Sequence, residues 1–202
     1  MLKWSLLIAV VLVVVIGLPS YFFLKGPDVS RYLYLQEPQI SEKPDQPVLV
    51  IEAQGDPNVI GSKVFTLLFK TFYSLKDNQK SFSVAPRARW PIAFTLPPKD
   101  QWQGQYALPV SATAKFSDNF KVADPELKVS LEVWKYGTVA EILHIGPYSA
   151  EMPTIERLKA FIKTKRYRIT GEHEEEYVKG PSMFGPGDPK QYYTIIRYQV
   201  VR

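Results

Sequence analysis

The order of apolar and polar positions is the same in two parts of the chain, residues 48–113 and 129–202. The first part predicts a strand at 48–53, a helix that begins after Asp56 and Pro57, and strands at 91–96 and 105–113. The helix is predicted from an N-cap residue followed by proline, and from an apolar stripe at helical spacing. That stripe consists of Ile60, Val64, Leu67, Leu68 and Phe72.

The second part repeats this order. It predicts strand formers at 129–145, a helix at 149–164, and strands at 168–178 and 191–201. Apolar residues again lie on one helical face, namely Ile155, Leu158 and Ile162. Glu151 lies where a negative charge favours the start of a helix. We interpret both apolar stripes as parts of a hydrophobic core.

A strand–helix–strand–strand unit that occurs twice predicts an α+β fold of two similar modules. The folded domain is expected over 48–202, with the two units at 48–113 and 129–202. Each module would have a sheet with one helix on one face. Two such modules side by side leave a groove between them, which is a usual place for a small ligand.

The N-terminal segment contains no charged residue from position 4 to position 24. As a helix it would span about 31 Å, which matches the hydrocarbon core of a bilayer. We therefore expect residues 1–25 to form a transmembrane anchor, although a cleaved signal peptide is the alternative. Residues 26–47 contain four prolines and are expected to form a linker. The chain is then a single-pass membrane protein, with its folded domain expected outside the cytoplasm and the lipid bilayer as a partner.

Composition excludes several kinds of site. The chain has no cysteine and two histidines, so a thiol nucleophile is absent and a metal centre is not expected. A formal net charge of +5 is a mild excess, and we expect no nucleic-acid partner. No Ser-His-Asp spacing and no phosphate-binding glycine loop is found.

Residues 173–177 combine a histidine, three consecutive glutamates and a tyrosine. In a strand, His173, Glu175 and Tyr177 share one face, while Glu174 and Glu176 share the other. If the Glu175 face is concave, this carboxylate could bind a cation or act as a general base. The alternative is a solvated acidic edge strand, which would prevent edge-to-edge aggregation.

Aromatic residues are frequent in the second part of the chain, and rings on a groove face suit a planar or cationic ligand. For any one of these rings, the alternative is that it fills the hydrophobic core. The candidate ligand-binding residues are His173, Glu175, Tyr177, Tyr148, Trp134 and Tyr198. Glu175 and Tyr177 are also the candidate catalytic residues if the protein is an enzyme, a question that the sequence leaves open.

Several motifs of the second part resemble the GyrI-like small-molecule-binding domain, which is also the effector-binding domain of AraC- and MerR-type regulators. The SOUL haem-binding family is similar more distantly. The motifs are the run from His144 to Tyr148, Leu158 in the helix, Glu175-x-Tyr177, Gly180-Pro181, Tyr193-Thr194, and the strand from Arg197 to Val200. Glu174 and Glu176 depart from the family, in which apolar or basic residues are commoner at these positions.

The resemblance implies two fused modules with pseudo-twofold symmetry and a ligand groove between them. It also implies that Glu175, beside Tyr177, faces the pocket and pairs with cationic lipophilic ligands. Some members of the family hydrolyse strained electrophilic compounds with such a glutamate and a tyrosine. We therefore expect a tethered module that binds a small amphipathic or cationic molecule, without a cofactor, although a tetrapyrrole is possible. The alternatives are a hydrolase and a non-catalytic membrane scaffold whose groove is filled by its own side chains.

Overall fold

A computed structural model describes residues 27–80, 84–90, 98–122, 124, 127–181, 185 and 187–202. The expected anchor at 4–24 and the expected strand at 91–96 lie outside these residues. No helix within the described ranges is long and apolar enough to cross a membrane. The strands are β1 (Gln39–Lys43), β2 (Gln46–Gln54), β3 (Arg87–Trp90), β4 (Gln103–Pro109), β5 (Lys128–Trp134), β6 (Gly137–Ile145), β7 (Arg168–Ile169), β8 (His173–Lys179) and β9 (Tyr193–Val201).

Two α-helices, α1 (Pro57–Ser74) and α2 (Met152–Thr164), are found in the described residues, with short 3₁₀ segments that include Ser30–Gln36 and Tyr148–Ala150. Helix α1 begins as expected, because Oδ1 of Asp56 accepts the backbone N–H of Asn58 at 2.9 Å. Its apolar stripe packs on β2 and β4, and the stripe of α2 packs on β6 and β9. The two apolar stripes are therefore core, as the spacing predicted.

The sheet is antiparallel, in the order β1-β6-β9-β8-β3-β4-β2-β5, and β7 pairs with β9. The first module contains β2, α1, β3 and β4, and the second contains β6, α2, β8 and β9. In each module the last strand lies between the other two, and the modules meet where β3 pairs with β8. The fold is therefore α+β, and both modules have the element order strand, helix, strand, strand. The second strand of the first module is Arg87–Trp90, whereas the sequence predicted a strand at 91–96.

Strands β1 and β5 exchange between the modules: β1 precedes the first module but pairs with β6, and β5 precedes the second but pairs with β2. In a flat sheet, β1 and β2 would be six strand spacings apart, or about 29 Å. The link of residues 44–45 spans at most about 11 Å. The sheet must therefore be curled so that its two ends approach each other.

The curl encloses the face of the sheet that is opposite the helices. The link between β5 and β6 reaches the central strands on this face, because Nη1 of Arg87 donates to the Tyr136 hydroxyl at 2.9 Å. Leu35, from the 3₁₀ segment Ser30–Gln36, packs on the same face against Leu143 and Ile195. We call this enclosed side the inner face, and the side that carries α1 and α2 the helix face.

Several expected boundaries differ from the structure. Part of the expected linker at 26–47 belongs to the sheet, because residues 39–43 form β1 and hydrogen-bond to β6. The run at 129–145 forms two strands, β5 and β6, and the chain leaves the sheet between Trp134 and Gly137. The run at 168–178 is also divided, into β7 and β8. Strand pairing between residues far apart in the chain does not require a strong local sequence pattern. The sequence therefore gives little indication of these strand boundaries.

Candidate functional site

Strand β8 lies in the centre of the sheet, between β3 and β9, and its glutamates are buried. The alternative of a solvated acidic edge strand is therefore wrong. Glu174 pairs in register with Arg197, and Glu175 with Ile196, so successive side chains point to opposite faces. Ile196 belongs to the core under α2. Glu175 is thus on the helix face, whereas Glu174 and Glu176 are on the inner face.

Arginines neutralise the two glutamates of the inner face. Arg197 donates from Nη1 to Glu174 at 2.5 Å and from Nη2 to Glu176 at 3.1 Å. Arg89 also pairs with Glu174, and Arg87 with Glu176, at 2.8 Å and 3.3 Å. Because buried carboxylates are costly without such partners, these arginines explain how an acidic strand is stable in the centre of the sheet.

Glu175 has a different environment on the helix face. It is 7% exposed, and its two oxygens accept hydrogen bonds from Nε2 of His173 at 2.9 Å and from the Tyr177 hydroxyl at 2.7 Å. Burial raises the pKa of Glu175, but these two donors outweigh it and keep the pKa below its ordinary value. No lysine or arginine among the described residues forms an ion pair with this carboxylate. Glu175 is therefore a buried anion held by side chains without a permanent charge.

The donors to Glu175 are fixed in turn by their neighbours. Nδ1 of His173 lies 2.8 Å from the Tyr198 hydroxyl. Since a carboxylate only accepts, Nε2 of His173 carries a proton, and Nδ1 can accept from Tyr198. Burial and the charge of Glu175 raise the pKa of Tyr177 far above its ordinary value, so this phenol remains a donor.

Aromatic rings continue from this polar centre in both directions along the helix face. Towards α2, the ring of Tyr148 lies 5.5 Å from that of Tyr177 and 5.2 Å from that of Tyr192. Towards α1, the ring of Phe65 lies 5.8 Å from that of Tyr177 and 5.3 Å from that of Tyr106. The rings therefore cross the boundary between the two modules, with Glu175 beside their centre.

The structure brings most of the sequence-predicted site residues together. Glu175, Tyr177 and His173 form one hydrogen-bonded cluster, Tyr198 supports it from behind, and Tyr148 lies against Tyr177.

Trp134 is the exception. It packs in the inner-face core, where the guanidinium of Arg89 stacks on its ring at 3.9 Å. Trp134 is the last residue of β5, which is the strand at one end of the sheet order, whereas β6 lies near the other end. The alternation of side chains within one strand does not reveal where that strand lies in the sheet.

Glu151 is a residue of this region that the sequence did not single out as part of a site. It is 5% exposed and lies close enough to Glu175 for the two carboxyl groups to share a proton. Burial and the negative charge of Glu175 raise the pKa of Glu151 to about 9. Near neutral pH, the pair therefore carries one proton and one negative charge. In the structure the side chain of Glu151 does not cap α2, and the sequence alone gives no sign of this.

The sequence profile of the GyrI-like small molecule binding domain matches residues 36–197. The chain therefore belongs to this family of small-molecule-binding domains. The match includes β1, in agreement with its place in the sheet. Among curated proteins, none is significantly similar in sequence to this chain.

Solved structures share the fold. An uncharacterised conserved protein from Listeria innocua is 20% identical with a TM-score of 0.64, over 85% of this chain and 97% of that chain. A hydrolase from the same organism is 19% identical with a TM-score of 0.64, over 85% and 96%. The EcmrR C-terminal domain is 13% identical with a TM-score of 0.63, over 82% and 98%. At these identities the comparison shows a common fold.

Proposed function

We propose that this domain binds a small amphipathic cation on its helix face, between the two modules, with Glu175 as the charge partner. The proposal rests on one observation: of three consecutive buried glutamates, arginines neutralise the two outer ones, and the middle one has no such partner among the described residues. A buried anion that no arginine or lysine neutralises attracts a ligand that supplies a permanent positive charge.

The surrounding rings favour an amphipathic ligand over a simple inorganic cation. Tyr148, Tyr177 and Phe65 provide aromatic surface beside the carboxylate, and aromatic faces attract cations as well as apolar groups. Tyr148 is partly exposed, so the aromatic surface continues to solvent. The membership of the chain in a small-molecule-binding family supports a small molecule as the ligand.

Binding of rhodamine 6G, a planar lipophilic cation, to the purified full-length chain tests the proposal. Glu175→Gln keeps the shape of the side chain and removes its charge, so we expect affinity to fall by about tenfold or more. Glu156→Gln is the matched control, because Glu156 is an exposed glutamate of α2. Equal affinities for the wild type and Glu175→Gln would contradict the role of Glu175.

We further propose that residues 4–24 hold the domain at a membrane, with the folded part outside the cytoplasm. This proposal is supported by the uncharged length of the segment alone. Membrane fractionation and protease accessibility of the full-length chain in sealed vesicles test it. Extraction of the chain by high salt or alkaline carbonate would contradict an integral anchor.

A second candidate function is the hydrolysis of a strained electrophile, favoured by two neighbouring carboxyl groups whose pKa values are pushed apart. In this scheme Glu175 takes a proton from water, and the water oxygen bonds to the electrophilic carbon as the carbon–oxygen bond of the strained ring breaks. Tyr148 or Tyr177 donates a hydrogen bond to the leaving oxygen. The proton held by Glu175 then passes to that oxygen, which completes the product and restores the carboxylate. Styrene oxide is a simple probe, with phenylethanediol as its product. Diol formation that persists in Glu175→Gln would contradict this mechanism.

A further inference from the structure

His173 is a group in direct contact with Glu175 that can gain a positive charge. Its Nε2 donates to Oε1 of Glu175 at 2.9 Å, and the residue is 4% exposed. Both side chains belong to β8 and lie two positions apart, so the alternation of the strand places them on the same face. An imidazole ordinarily changes its charge between about pH 5 and pH 8. The protein therefore holds a titratable base against the carboxylate that we assign to the ligand.

The partners of this imidazole fit both of its charge states. In the neutral form, Nε2–H donates to Glu175, and Nδ1 accepts from the Tyr198 hydroxyl at 2.8 Å. In the protonated form, Nδ1 also carries a hydrogen, and the Tyr198 hydroxyl can rotate to accept it. Protonation of His173 therefore leaves neither ring nitrogen without a partner. It also supplies a positive charge beside Glu175, where no arginine or lysine of the described residues forms an ion pair.

We propose that His173 is a switchable counter-cation of Glu175, so that a proton on His173 and the cationic ligand compete for the same negative charge. With a neutral imidazole, the His173–Glu175 pair is an anion and binds the cation. With an imidazolium, the pair is neutral and binds the cation weakly. This inference rests on the proposed function, because it assigns the regulation of the Glu175 site. The ligand is then held near pH 8 and released near pH 5.

The other titratable groups around this pair come from β4, β8, β9 and the start of α2. Burial raises the pKa of Glu175, but hydrogen bonds from His173 and Tyr177 outweigh it, so this carboxyl group stays ionised above pH 5. Burial and the charge of Glu175 raise the pKa of Glu151 to about 9, so Glu151 keeps its proton. Glu156 of α2, which acts on the Tyr198 phenol, is exposed. Burial raises the pKa of the four surrounding phenols, which stay neutral, namely Tyr106, Tyr148, Tyr177 and Tyr198.

His144 of β6 is the second histidine of the chain and provides a comparison. Its ring nitrogens lie 2.9 Å from the Thr154 hydroxyl and 3.2 Å from the Pro147 carbonyl oxygen, and neither partner is a carboxylate. Burial lowers the pKa of His144, although the Pro147 carbonyl and the charge of Glu175 oppose this effect. His144 is therefore the matched control for His173.

Binding of rhodamine 6G to the full-length chain, measured in steps from pH 5 to pH 8, tests the switch. This cation keeps its charge over the range, so a change in affinity reports a change in the protein. We expect binding to be about tenfold weaker at pH 5 than at pH 8. The expected loss resembles that of Glu175→Gln, because the negative charge is neutralised in both cases.

His173→Gln is the decisive variant, because glutamine can donate an N–H group but does not titrate. We expect the ratio of its affinities at pH 8 and pH 5 to fall from about ten to about one, whatever its affinity at pH 8. A purely structural role for His173 would change the affinity at every pH and leave this ratio as it was. His144→Gln should retain the ratio of the wild type, and unfolding temperatures verify that each variant is folded.

NMR of the wild type gives a measurement that requires no change at His173. With ¹³C-labelled histidine, each of the two rings gives its own signal, and His144→Gln assigns them. The His173 signal should titrate over the pH range in which the affinity changes. By reciprocity, saturating rhodamine 6G should move the midpoint of this titration to lower pH, by about one unit for a tenfold difference in affinity.

The outcomes separate this inference from the proposed function. Equal affinities of the wild type at pH 5 and pH 8, or a His173 titration that rhodamine 6G does not shift, would overturn the switch while the role of Glu175 stands. A pH dependence that persists in His173→Gln would overturn it as well. If rhodamine 6G does not bind, or binds the wild type and Glu175→Gln equally, the proposed function and the switch both fail.

Discussion

Nη1 of Arg197 donates to Oε1 of Glu174 at 2.5 Å, inside the curled sheet. The same guanidinium donates to Glu141 and Glu176 and is 1% exposed. Three carboxylates therefore converge on one arginine, and burial of these charges is tolerated because each carboxylate is paired. This pairing lets β8 carry glutamates on both faces, with Glu175 alone on the helix face.

Arg197→Met should strongly destabilise the fold, because it leaves three buried carboxylates with fewer partners in a medium of low polarity. We expect the free energy of unfolding to fall by about 3–5 kcal/mol, measured by urea denaturation. Arg157→Met is the control, because Arg157 is a half-exposed arginine of α2 and should contribute less than about 1 kcal/mol. A similar small loss in both variants would contradict a structural role for the network.

Acid should destabilise the protein through the same network. Burial raises the pKa of Glu141 and of Glu176, but nearby arginines outweigh this effect and hold each pKa below 4.5. Arg197 acts on Glu141, whereas Arg87 and Arg197 both act on Glu176. The folded state then binds these protons more weakly than the unfolded state. The stabilisation is present above pH 4.5 and is lost as the pH falls through the folded pKa. Urea denaturation at stepwise lower pH should show this loss, with a shallower dependence in Arg197→Met; parallel curves would contradict it.

Glu151 should have the opposite effect on stability. Its folded pKa of about 9 lies above the ordinary 4.5, so the folded state binds the proton more tightly than the unfolded state. The free energy of unfolding should therefore decrease as the pH rises from 5 to 9, by at most about 1.4 kcal/mol per pH unit. Glu151→Gln should remove this decrease, and Glu156→Gln should retain it. An unchanged pH dependence in Glu151→Gln would refute a proton on Glu151.

Gly180→Ala should disturb the aromatic surface with little effect on the fold. A Cβ atom at position 180 would lie 2.5 Å from the Tyr148 hydroxyl, so the ring of Tyr148 must move. We expect weaker binding of rhodamine 6G and a change in unfolding free energy below about 1 kcal/mol. Gly61→Ala is the control, because a Cβ there meets no atom within 4 Å. Unchanged binding by Gly180→Ala would exclude Tyr148 from the ligand surface.

Which residues of one strand share a face was predictable, because side chains alternate along a strand. The period of two places His173, Glu175 and Tyr177 together, and the structure shows these three side chains in one hydrogen-bonded cluster. The duplication was also predictable, since each helix has an apolar stripe of the expected spacing. Both signals are local and depend on a few neighbouring positions.

The partners of the acidic strand were not predictable in the same way. Arg89 is 85 residues from Glu174 along the chain, and the pairing of β3 with β8 brings them together. Without that pairing, three consecutive glutamates indicate a solvated edge equally well. Trp134 shows the same limit, because its position depends on how the sheet is curled. Glu151 has the sequence context of an ordinary helix start, and tertiary packing alone shows that it is buried beside Glu175.

The most direct measurement of the central claim is a crystal structure of the full-length chain with rhodamine 6G bound. We predict that the cationic ring system of rhodamine 6G lies in contact with the Glu175 carboxylate and against the rings of Tyr148 and Tyr177. A helix face that is filled by the protein's own side chains, with the cation bound elsewhere or not at all, would contradict the account.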